Sequence, residues 1–118
     1  MALMGGFIEI SEEQEQGILI FHLKGRLDPI SSVKAEEKIL EKIKEGSSKL
    51  LMDFSQVTYL SSAGMRMLLS TSKKLKALSG KLVLCCVTSN VMDVLKMSGF
   101  DHIFVIATSK EQALSILH

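Results

Sequence analysis

KLLMDFSQVTYLSSAGMRMLL, residues 49–69, is the stretch from which the fold can be read. Leu50, Leu51 and Met52 form a short apolar run ending at Asp53, the pattern of a buried strand. A polar turn is expected over Phe54, Ser55, Gln56, Val57 and Thr58, after which Tyr59 and Leu60 bring the chain back to the core. Ser61-Ser62-Ala63-Gly64 follows, and then Met65, Leu68, Leu69, Leu75 and Leu78 recur at helical spacing. Two hydroxyls therefore stand where a helix begins. That end carries free backbone N–H groups and partial positive charge, so it suits a phosphate better than a hydrophobe.

The flanking segments extend the pattern. Phe7–Ile10 alternates weakly as a strand, and Glu12, Glu13, Glu15 and Gly17 read as a solvated turn. Ile18–Lys24 is dense in β-formers, and the two runs are expected to pair as an antiparallel hairpin. Gly25-Arg26-Leu27-Asp28-Pro29 breaks the strand. Asp28, Ser31 and Ser32 are each possible caps for a helix over Val33–Glu45, with Gly46 as its stop. Lys–Glu pairs three apart give that helix a charged outer face.

Beyond Gly80 come a strand at Leu82–Val87 and a short helix at Val91–Met97, ended by Gly99. A last strand at Ile103–Ile106 and a helix at Ala113–Leu117 follow, the latter opened by a Ser109–Gln112 capping box. The order β β α β α β α β α predicts an α/β domain with a mixed, mostly parallel sheet of four or five strands and about four helices. Right-handed crossovers then gather the strand-to-helix turns, at residues 25–32, 54–64 and 88–90, on one edge of the sheet.

Composition narrows the function. A chain of 118 residues is expected to form one domain over residues 1–118, with a core that needs no staples. Residues 1–6 lack the charged and apolar regions of a signal peptide and read as a disordered lead-in or an expression leftover. A net charge of +1 argues against nucleic acid as a partner. No apolar run approaches the roughly 18–20 residues that span a bilayer, so no membrane insertion is expected. The two cysteines, Cys85 and Cys86, are adjacent and would point to opposite faces of a strand, which implies no disulfide and fits a reducing cytoplasm.

The usual catalytic constellations are missing. Neither serine sits in a G-x-S-x-G elbow, and His22, His102 and His118 show no local relation to one. Adjacent cysteines and scattered histidines give no metal-ligand spacing, no nucleotide loop is present, and no cofactor is implied. Cys85 and Cys86 read as small core hydrophobes. Lys73, Lys74, Lys76 and Lys81 read as a wet face or as a surface for an anionic partner. Asp28 alone is a turn or cap residue. Ser62 alone is a cap as well. Gly64 stands out, because glycine costs a helix interior up to about 1 kcal/mol relative to alanine. A missing Cβ there implies a close approach by the sheet, a phosphate or a partner's backbone.

Leu51–Met65 resembles the signature of STAS domains, and most of all that of the bacterial anti-sigma-factor antagonists. In that family a strand of form hydrophobic-D-x-S-x-V leads through an apolar pair to D-S-[SA]-G-[LM]. Gly25-Arg26-Leu27-Asp28 resembles the family's G-x-[LIV]-D turn, and Met97–Phe104 its late G-[LF]-[DE]-x-[IL]-F, so the likeness covers nearly the whole chain. The resemblance implies a small cytoplasmic STAS-like domain that acts by binding and is not an enzyme. Unphosphorylated, such a protein captures an anti-sigma factor, often itself a serine kinase; phosphorylation at the helix-start serine releases it and a serine phosphatase reverses the step. By position that serine is Ser62. Asp28, Ser61, Ala63, Gly64, Met65 and Arg66 would then lie on the surface the partner covers. Ser61 stands where many members carry Asp, which makes it an alternative acceptor. The other role the family suggests is that of a constitutive accessory subunit in a transport or lipid-handling complex.

Overall fold

The computed structural model describes residues 7–118, and the expectation for residues 1–6 lies outside them. Five strands form one sheet in the order β1-β2-β3-β4-β5. They are β1 (Ile8–Glu15), β2 (Ile18–Leu27), β3 (Lys49–Leu60), β4 (Lys81–Cys85) and β5 (Val105–Ala107). β1 pairs antiparallel with β2, and every later pairing is parallel. The helices are α1 (Pro29–Lys44), α2 (Ser62–Ala77), α3 (Ser89–Ser98) and α4 (Lys110–Leu117), with a single 3₁₀ turn at Phe100–His102. The mixed, mostly parallel sheet with four helices agrees with the reading of the sequence.

Chirality explains the layers. Strand order rises monotonically from β2 to β5, so three successive right-handed crossovers all fall on one face. Ala35 and Ile39 of α1, Met67, Leu68 and Leu75 of α2, and Val91 and Leu95 of α3 pack there on Leu19, Phe21, Leu50, Met52 and Leu84. The opposite face has α4 alone, whose Ala113 and Leu117 cover Ile18, Ile20, Leu51, Val83 and Cys85. Among the described residues no helix is long and apolar enough to cross a membrane.

Several boundaries differ from the sequence reading. The glutamates at 12, 13 and 15 belong to β1, and the turn is only Gln16-Gly17, both at positive φ as a tight two-residue hairpin requires. Charge suits this strand because its partners are charged. Glu12 meets Lys38 and Lys42 of α1, and Glu13 meets His22 and Lys110. The polar turn expected at residues 54–58 is instead the continuation of β3. Phe54 and Val57 are buried in the core while Ser55, Gln56 and Thr58 face water. β4 pairs with β3 only as far as Asp53, so beyond that point β3 has a neighbour on one side alone and two register shifts against β2. A half-solvated, bulged strand does not present an apolar run.

α1 starts at Pro29, four residues before the expected Val33, because Asp28 caps it. β4 stops at Cys85, leaving Cys86 and Val87 outside the strand. β5 begins only at Val105, because Ile103 and Phe104 belong to the connection from the 3₁₀ turn.

Candidate functional site

β2 and β3 end side by side, with Leu27 opposite Leu60, so the first turns of α1 and α2 rise together from one edge of the sheet. Each turn has its own cap. At α1 the Asp28 carboxylate accepts from the N–H groups of Ile30 and Ser31 at 3.0 and 2.8 Å, while the Asp28 N–H donates to the Ser31 hydroxyl at 3.0 Å. This is a reciprocal capping box, and it leaves Asp28 8 % exposed.

At α2 the cap is Ser61. Its hydroxyl accepts from the Gly64 N–H at 3.1 Å and donates to the Leu27 carbonyl at 2.7 Å, which also receives the Ser61 N–H at 2.9 Å. Ser61 is 7 % exposed. Ser62 is the first helical residue, exposed, and its hydroxyl has no hydrogen bond among the described residues. The cap reading of the sequence thus belongs to Ser61 rather than Ser62.

The three visitors left open at Gly64 reduce to one. A Cβ at this buried glycine would stand 2.7 Å from Leu60 Cδ1 and 3.2 Å from both Leu27 Cβ and the Leu27 carbonyl oxygen. The close approach is therefore that of the sheet, and Gly64 lets α2 settle on the strand ends. Ala63 and Met65 are half-buried, and Arg66 is exposed. Ala63 and Arg66 line a cleft of about 310 Å³ between α1 and α2, together with Pro29, Ser32 and Val33. The Ser32 hydroxyl is buried at this cleft without a hydrogen-bond partner among the described residues. Beside it the first turns of α1 expose Ile30 and Val33, at 59 % and 56 %. Arg26, just before this edge, lays its guanidinium 4.2 Å over the Tyr59 ring.

Comparison with known proteins supplies the family. The STAS domain model matches residues 9–113. The chain belongs to the STAS family. Within it, the chain is 31% identical over 106 residues to BtrV of Bordetella bronchiseptica, named as an anti-sigma factor antagonist, covering 90% of this chain and 91% of that one. The fold of this STAS domain matches that of an anti-sigma factor antagonist from Mycobacterium paratuberculosis with a TM-score of 0.85, at 21% identity and 97% coverage of both chains. It also matches the Bacillus cell fate determinant SpoIIAA in its phosphorylated form, with a TM-score of 0.71, 21% identity and coverage of 93% and 100%. SpoIIAA is solved in its unphosphorylated form as well.

A second group of polar side chains was not foreseen. Cys86 lies at φ +59, the left-handed region, which swings its side chain back towards its neighbour. One ligand atom each from Asp53, Cys85 and Cys86 lie within 4.8 Å of one another. The expectation that the two thiols point to opposite faces fails because Cys86 has already left the strand. Burial pushes the Cys85 thiol up to about 12, with the Cys86 thiol and the Asp53 carboxylate acting in the same direction. Next to it, both ring nitrogens of His22 face carboxylates, Glu13 at 2.7 Å and Asp53 at 2.9 Å. The hydrogen bond to Glu13 leads in raising the His22 pKa.

Proposed function

We propose that this STAS domain is an anti-sigma-factor antagonist switched by phosphorylation of Ser62. Unphosphorylated, it binds an anti-sigma factor that is also a serine kinase; the kinase modifies Ser62 and is released, and a serine phosphatase restores the binding form in the cytoplasm. The observation that carries this reading is the division of labour between adjacent serines. Ser61 is buried and holds the helix start, whereas Ser62 is exposed with an unengaged hydroxyl. A kinase can reach Ser62 without disturbing the cap, but a phosphate on the buried Ser61 would remove the proton that it donates to the Leu27 carbonyl. The antagonist relatives, one of them solved in a phosphorylated form, support the same reading.

The chemistry suits a switch. A phosphoryl group adds about −1.5 to −2 charges and three strong acceptor oxygens. The positive end of α2 accommodates that charge without unfolding the domain. A partner seated over Ala63, Met65 and Arg66, with the apolar Ile30 and Val33 beside them, would meet a hydrated anion at the centre of its contact. A loss of about 3 kcal/mol is more than a hundredfold in affinity. Asp28, buried under the same edge, acts through α1, whose first turn it holds in place.

Mass spectrometry of the protein from its native cells, with Ser62→Ala as control, tests the proposal. One phosphate on Ser62, absent from the variant, is the expected result, together with a kinase that binds only the unmodified chain. Phosphate on Ser61 would move the switch by one residue. Its absence under every growth and stress condition would leave a constitutive binding subunit.

A further inference from the structure

Four of the five strands contribute to one transverse row on the sheet face that carries α4. Register places His22 opposite Asp53, Asp53 opposite Cys85, and Cys85 opposite Ala107. The row is polar in its middle, although α4 buries Ile18, Ile20 and Leu51 in the preceding positions of the same face. Asp53 is held from two sides. The Ser55 N–H donates to its Oδ1 at 2.9 Å, and His22 Nδ1 faces its Oδ2 at 2.9 Å. Each carboxylate oxygen keeps a further lone pair.

Cys86 completes the group through an unfavourable backbone. A residue with a Cβ gains nothing locally from φ +59, where glycine or asparagine would be expected. What the conformation achieves is to turn a second thiol towards the first and towards the carboxylate. Only Cys85 of the three is buried; Cys86 is half-buried and lines an open cleft of about 390 Å³ with Asp101 and Thr108, and Asp53 is half-buried beside a second cleft, so the group is reachable from solvent.

We propose that Cys85, Cys86 and Asp53 form a binding site for a soft divalent cation of the zinc class. Two sulfurs and a carboxylate are a donor set that hard cations such as magnesium and calcium avoid and that zinc accepts. Zinc–sulfur bonds of about 2.3 Å and zinc–oxygen bonds of about 2.0–2.2 Å need donors roughly 3.5–3.8 Å apart in a tetrahedron. The present spread of within 4.8 Å requires only small side-chain rotations. Binding replaces two S–H bonds by two S–metal bonds and passes two protons to water. With three protein donors, a fourth position would be left for water from the cleft beside Cys86. Two thiolates and a carboxylate leave one net negative charge around the cation, and the nearby Lys110, which acts on Cys85, is itself shared with Glu13 and Glu15. His22 is a positioning residue, since it orients the carboxylate without touching the metal.

Titration of the reduced full chain with cadmium(II), read by the thiolate-to-cadmium charge-transfer band, tests the assignment, with zinc(II) affinity measured by competition against a chromophoric chelator. The expected result is a sharp endpoint at one equivalent, two protons released, and a melting temperature raised by zinc. Cys86→Ser and Asp53→Asn should remain folded by circular dichroism, the first losing the endpoint and the second binding more weakly. His22→Gln should weaken zinc about 10–100-fold while keeping the same band. A band without an endpoint, or one unchanged in Cys86→Ser, overturns the proposal.

Discussion

The first turns of α1 and α2 stand side by side on the same sheet edge, yet they are finished differently. α1 is closed by a carboxylate that takes two N–H groups and brings a negative charge to the helix end. α2 is closed by a neutral hydroxyl that takes one. The partial positive charge of α1 is therefore answered inside the fold, while that of α2 remains open to an outside anion. The contrast bears on the proposed switch: a phosphate at α1 would compete with a buried carboxylate, whereas at α2 it would meet an uncompensated helix end.

Breaking the contrast at α1 should cost most. Asp28→Ala removes the carboxylate that accepts from two N–H groups, leaving only the backbone arm of the capping box, and urea denaturation should show a loss of about 2 kcal/mol, the upper end for cap removal. Gly64→Ala attacks the seating of α2. The added methyl meets Leu60 and Leu27, and the overpacking, offset in part by better helix propensity, should cost about 1–2 kcal/mol in the same assay. Ser61→Ala should cost about 1 kcal/mol, because one hydroxyl cap is lost while the Ser61 N–H still satisfies the Leu27 carbonyl. Ser62→Ala should stay within about 0.5 kcal/mol of the parent, as expected for an exposed side chain with no partner. Protein phosphorylated at Ser62 should be more stable than the parent by about 0.3–1 kcal/mol in the same assay, because the added charge sits at a helix N-terminus. A Ser62→Ala variant as damaged as Ser61→Ala would erase the distinction between the two serines.

Periodicity and punctuation made most of the architecture legible. Ile18–Lys24, Leu50–Met52 and the Leu68–Leu75 spacing carry buried faces that only one element type can use. Residues 54–58 misled because a strand that outruns its neighbour needs apolar residues on one side only, and bulges break the alternation. At the site, sequence placed both serines at a helix start. Their roles depend on where extended backbone, Ser61 at φ −85 and ψ 170, gives way to helix, a boundary composition does not encode within one residue. Cys86 was out of reach for a sharper reason. Nothing in Cys-Cys-Val-Thr signals a left-handed residue, and without it the thiols diverge.

The Leu27 carbonyl has a consequence for how the molecule breathes. It receives both the amide and the hydroxyl of Ser61, so it ties the entrance of α2 to the end of β2. The Ser61 amide proton can exchange with solvent only when that tie opens, whereas the next two amides, at the uncovered start of the helix, need no such event. A boundary between slow and fast exchange therefore runs between two neighbouring serines, and the exposed one, Ser62, lies on the fast side.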